Sequence, residues 1–251
     1  MTDAMHIEPS RQSGESGRSL KDQNRWQLWM VVAAETLVLY GVIQANAIKA
    51  DGLRSILTDA QNLLPVGFAL VGATVLNGLL SADMKARLVF LRWHYGLPGH
   101  RAFTKYAVRD PRIDLAALEK LHGGPLPAHP VEQNRAWYRL YKSVENDHAV
   151  KQVHRDFLLM RDYTGLCAVF IVFFGRAGLY AIPSTKTGWT YLLVLVAQFL
   201  IVRQAASNCG ARMVTTVMAR RAAKEVSDTT TTPRQKTRTA RARSDVKKPE
   251  R

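Results

Sequence analysis

Two sets of residues in this chain have the types and spacing to do chemistry. The first is Arg92, Arg101, Lys105 and Arg109, interleaved with Phe90, Trp93, Tyr95, Phe103 and Tyr106 in FLRWHYGLPGHRAFTKYAVRD (residues 90–110). Guanidinium and ammonium groups donate to anionic oxygens, and flanking rings hold them by cation–π contact. The chemistry is therefore anion binding, either to lipid headgroups or to a separate anionic ligand or partner. The second set is Glu35, Asn77, Arg176, Gln198 and Arg203, each inside an apolar run. Ionisable groups are costly in hydrocarbon, so Glu35 and Arg203 should face the bundle interior and pair, whereas Arg176 should snorkel outward past Gly178.

Signatures of catalysis are absent. The sequence holds no HExxH, GxSxG, GxxxxGK[ST] or GxGD, so no catalytic residue is assigned and a non-enzymatic role is expected. His148 and His154 are six residues apart, about 240° around a helix, so they do not share a metal. Two cysteines, Cys167 and Cys209, form no paired motif. A disulfide framework, a zinc site and a cofactor are accordingly not expected.

The elements that must position these residues are four apolar blocks, at 28–48, 62–80, 164–182 and 189–206. Each approaches the 20 or so helical residues that a hydrocarbon core of about 30 Å requires. The expected fold is an all-α integral membrane protein: two transmembrane hairpins flanking a cytosolic helical insert at 81–163. A polar segment precedes them at 1–27; a cytosolic helix at 207–226 and a disordered basic tail at 227–251 follow.

Loop charge supplies the orientation. The connections at 49–61 and 183–188 carry few cations, whereas the front, the insert and everything after Arg203 are rich in Lys and Arg. Positive-inside reasoning puts both termini and the insert in the cytoplasm, with the chain in the inner membrane. The net charge of +15 then suits an anionic leaflet. Nucleic acid is the weaker reading of that charge, since no nucleic-acid module is visible. Ala45-Asn46-Ala47 resembles a signal-peptidase site, but the long apolar run interrupted by Glu35 favours an uncleaved span.

Within the insert, LPG at 97–99 reads as a turn, and Arg101, Lys105 and Arg109 follow as a stripe on one short helix. Asp114 is placed to cap LAALEKLH, which ends at Gly123-Gly124. A second helix follows Pro130. A third, from about 147 to 182, enters the membrane without a breaker. The last span continues likewise, with Ala206, Gly210, Met213 and Val217 as an apolar seam, and the two long helices should pair as a coiled coil. Rise per residue puts Glu35 and Arg203 at similar depths, roughly 10 Å and 9 Å from one surface, which predicts an ion pair. Asn77 and Gln198 are expected to hydrogen-bond across helices.

The layout alone, two hairpins flanking a cytosolic helical insert, resembles the four-span membrane effectors of bacterial antiphage systems. The likeness covers topology and no motif. It implies a signalling or effector role in which the cytosolic helices bind a partner or anionic ligand and alter the bundle. A channel or transporter subunit, a static scaffold and a homo-oligomer remain open alternatives.

Overall fold

The computed structural model describes residues 24–45 and 64–245, and side chains within 24–45 and 71–227. The expectations for 1–23, 46–63 and 246–251 lie outside the described residues.

Every regular element among the described residues is helical: α1 (Arg25–Ile43), α2 (Leu64–Leu79), α3 (Ala82–Phe90), α4 (Leu115–His122), α5 (Pro130–Val144), α6 (His148–Ala181) and α7 (Thr185–Asp245). The start signals explain where they begin. The Ser81 hydroxyl accepts from the Met84 amide at 3.1 Å, and the Asp114 carboxylate from that of Ala117 at 3.1 Å. Asp147 accepts from Ala149 at 2.8 Å and opens α6. Each side chain satisfies an amide that has no partner in the first helical turn. At the other end of α4, Gly123 takes φ 82°, the left-handed stop that glycine adopts without steric cost.

Three helices, α1, α6 and α7, are long and apolar enough to cross a membrane. Their apolar residues face outward as much as inward: Leu37, Val172, Leu193 and Ile201 are all exposed. A belt of that kind on several helices fits contact with hydrocarbon rather than water.

The buried residues form two clusters. One gathers Val32, Leu39, Ala73, Leu166, Phe170, Phe174, Tyr191 and Leu195 within the apolar helices. The other gathers the insert around Phe103, Leu118, Trp137, Val150, Phe157, Val214, Val217 and Met218. Both α6 and α7 contribute to both clusters. The expected seam of Ala206, Gly210, Met213 and Val217 is buried throughout. Gly210 is required there, because a Cβ would stand 2.7 Å from Phe90 Cζ and 3.0 Å from Phe157 Cε2. In α6 the spacing slips once, through a π turn at Ile171–Gly175.

Two expectations are corrected. Arg101, Lys105 and Arg109 do not share one α-helix: the segment is 3-10 at Pro98–Arg101, π at Ala102–Tyr106 and 3-10 again at Ala107–Arg109. The cause is Gln133, whose side chain is buried and whose Oε1 accepts from the Phe103 and Thr104 amides at 3.1 and 3.2 Å. Those amides are thereby drawn away from an α ladder. The second correction concerns the tail. Helix continues from 227 to Asp245 rather than ending in disorder, and beyond Pro233 this stretch is rich in Ala, Arg, Lys and Gln, all good helix formers.

Candidate functional site

The basic cluster is built on the irregular segment that Gln133 holds. Gln133 Nε2 also donates to the Ala128 carbonyl at 2.6 Å, so one side chain joins the loop before α5 to the turn after α3. Gly99 lies where Asn134 and Trp137 occupy the space of a Cβ, so only glycine lets this loop close on α5. Tyr95 takes φ 53° and sets its ring 5.4 Å from that of His100.

Arg101 is the centre of the cluster. Its guanidinium carbon lies 5.6 Å from the Phe90 ring centroid and 5.9 Å from that of Tyr106. Its Nε and Nη2 are buried and lack hydrogen-bond partners. Lys105 Nζ lies 5.6 Å from the same Tyr106 ring. Burial lowers the pKa of Arg101, and the charge of Arg92 adds to the effect. Lys105 is lowered by burial and then by Arg101, Arg109 and Arg92. Burial likewise lowers that of His100, against the carbonyl of Leu97.

No ion pair to Arg92, Arg101, Lys105 or Arg109 occurs among the described residues. The nearest acids in sequence are engaged elsewhere. Asp83 pairs with Arg87 at 2.6 Å. Asp110 is held by Arg112, whose hydrogen bonds bring its carboxyl down to about 2. Four cations thus share a surface with His100, and none of the four is ion-paired to a carboxylate among the described residues. Such a site gains most from an anion that accepts from the unpartnered guanidinium.

The polar residues of the apolar runs do not all meet as expected. Glu35 and Arg203 do not pair. Gln198 Nε2 donates to Glu35 Oε1 and, at 3.0 Å, to Tyr163 Oη, so the polar contact joins α1, α6 and α7. Arg203 instead donates to the Val89 carbonyl at 3.4 Å and to Gln204 Oε1 at 3.2 Å. Depth matched, but azimuth did not. Gln198 and Arg203 are five residues apart, about 140° around the helix, so an acid facing one turns away from the other. Arg203 lies at the C-terminal end of α3, where a cation complements the helix dipole. Arg176 is exposed, with its guanidinium 5.5 Å from the Tyr180 ring centroid. Asn77 is buried against Gly165, and its Oδ1 has no hydrogen-bond partner.

One group escaped the sequence reading. Lys85 Nζ lies 3.3 Å from Asp162 Oδ1, with both side chains about 95% buried, and Arg161 Nη2 reaches the same oxygen at 3.1 Å. The signal was present: Lys85 follows the 62–80 run by five residues, and Asp162 precedes the 164–182 run by two. Two opposite charges at the same end of neighbouring apolar helices can meet.

No cluster of three His, Cys, Asp or Glu residues among those described is placed to hold a metal. No protein-family model, curated protein or solved structure matches the chain.

Proposed function

We propose that this chain is a four-span inner-membrane protein whose cytosolic helical region binds an anionic ligand or partner and passes that event to the transmembrane bundle, as a signalling or effector protein without enzymatic activity. In this reading 62–80 is the remaining span, both termini are cytosolic, and α6 and α7 are the conduits. One observation carries it: the same two helices build the core beneath the basic cluster and the core of the apolar bundle. An element shared by two packed cores cannot be displaced in one without strain in the other.

The test is hydrogen exchange on the full chain in anionic vesicles, with pyrophosphate as the probe anion. Added pyrophosphate should slow exchange at 98–109 and also at 160–181. Arg101→Glu with Lys105→Glu should remove both effects while insertion is retained. Protection confined to 98–109, or none at all, overturns the proposal.

A further inference from the structure

The chain leaves α3 through a short exposed loop at 91–95 whose two ends are fixed. At Leu91 the backbone turns left-handed, with φ 48°, and the Arg92 amide donates back to the Arg87 carbonyl at 3.3 Å. At Tyr95 φ is 53°, and the ring lies 5.4 Å from that of His100 and 6.3 Å from that of His129. Left-handed backbone strains a residue that carries a Cβ. Among the described residues, Leu91 and Tyr95 are the two that adopt it without being glycine. Strain of this kind persists where the surroundings enforce it, and it gathers at sites of contact.

What the two turns present is apolar. Leu91 is 62% exposed and Trp93 79% exposed, the latter more than any other large apolar side chain described. A tryptophan so placed gains almost nothing from packing within its own chain. Arg92 stands between them, exposed and without an ion pair among the described residues. Its charge acts on Lys105 together with those of Arg101 and Arg109, so the loop lies at the rim of the basic cluster.

Depth identifies what covers it. Phe90, the residue before the loop, packs on both long helices. Its ring centroid lies 6.4 Å from that of Phe157, and its Cζ lies 2.7 Å from where a Cβ of Gly210 would stand. In the proposed membrane arrangement Gly210 is four residues past the run 189–206, and Phe157 is seven before the run 164–182. Those counts put Phe90 about 6–10 Å beyond the hydrocarbon edge. The headgroup layer occupies roughly the first 5–8 Å. The loop therefore leaves the fold at headgroup level, where Trp and Tyr rings gather and cations meet lipid phosphate.

We infer that the 91–95 loop is a wedge into the anionic face of the chain's own membrane, with Leu91 and Trp93 against the upper acyl groups and Arg92 on lipid phosphate. The fixed ends hold the apolar tips outward before contact, so little ordering is lost on insertion. The inference rests on the membrane reading of the proposed function but not on anion binding at Arg101.

The test uses the full chain in vesicles, with Trp93 isolated as the difference in fluorescence between wild type and Trp93→Phe. Phosphatidylglycerol vesicles carrying acyl-brominated phosphatidylcholine are compared with phosphatidylcholine vesicles brominated equally. In the first, the bromines should quench Trp93 and aqueous acrylamide should not. In the second, Trp93 should remain open to acrylamide. Removing one cation from an anionic surface with Arg92→Gln should lower the ratio of buried to exposed Trp93 about fivefold. Access of acrylamide in both vesicles, equal bromine quenching in both, or indifference to Arg92→Gln would each overturn the wedge. Protection from acrylamide in neutral detergent, rising with protein concentration, would assign the surface to a second copy of the chain and overturn it as well. The pyrophosphate experiment reads 98–109 independently. If Trp93 stays in water while pyrophosphate still slows exchange there, the wedge fails and the proposed function stands.

Discussion

Gln133 holds the shape of the basic cluster. It is 1% exposed, and replacing it with leucine strands the buried Phe103 amide and the part-buried amide of Thr104. Each stranded group costs about 1–3 kcal/mol, so Gln133→Leu should lower stability by roughly 2–4 kcal/mol in denaturant titration, and Gln133→Glu, which keeps the acceptor but turns a carboxylate oxygen toward the Ala128 carbonyl, should not recover it. The polar contact inside the bundle permits a double-mutant test. Glu35→Gln and Gln198→Leu should couple by about 0.5–2 kcal/mol, and Glu35→Gln with Arg203→Gln should add to within about 0.5 kcal/mol. Coupling of the second pair and additivity of the first would reverse the assignment made from the hydrogen bonds. Acid sensitivity arises at His154, whose pKa burial lowers, and likewise at His100. Its folded pKa is lowered by burial, so the unfolded chain takes up a proton first. Stability is full above the ordinary histidine value of about 6.5 and falls as pH drops below it. His100→Gln should flatten that part of the stability profile. Glu35, Gln198 and Arg203 were legible by type, but their partners were not, and Gln133 gave no signal. Charge and depth can be counted along a chain, whereas azimuth depends on how the helices are rotated against one another.

Helix boundaries were the most legible feature, because caps and breakers are local. Asp114, Gly123 and Asp147 stop and start helices at the positions their chemistry requires. The stripe over 101–109 was misjudged for the opposite reason: its ladder is broken by a side chain some 30 residues away. The slip at Ile171–Gly175 was equally invisible, since a π turn differs from its surroundings by one extra residue. That difference can be tested. Val172 is exposed within the turn. Deleting it should convert the turn to α while keeping Phe170 and Phe174 inward, and should shift the melting temperature by no more than a few degrees. Deleting Val169, two residues before the turn, would rotate the buried face by about 100° and should abolish stable expression. Between α6 and α7, Gly210→Ala places a methyl against two rings and should cost about 1–3 kcal/mol.

For the molecule as a whole, the distribution of charge and apolar runs fixed the class, and three apolar helices agree with it. Reporter fusions at residues 120 and 235 are expected to behave as cytoplasmic and one at 186 as external; a cytoplasmic signal at 186 would remove the second hairpin. What the chain order could not reveal is which early helices pack against the shared α6 and α7. The core of the insert takes Phe103, Leu118 and Trp137 from its early helices, and Val214, Val217 and Met218 from the last. During synthesis the early helices emerge long before the segment that completes them. About 80 residues separate Val144 from Ala222, roughly 4–16 s of translation at 5–20 residues per second. For that interval the sticky faces of α4 and α5 stand open beside the ribosome while the last apolar helix is still being made. Nascent chains stalled before residue 209 should therefore bind holdase chaperones and be cut readily by protease within the insert, and chains released after 227 should resist.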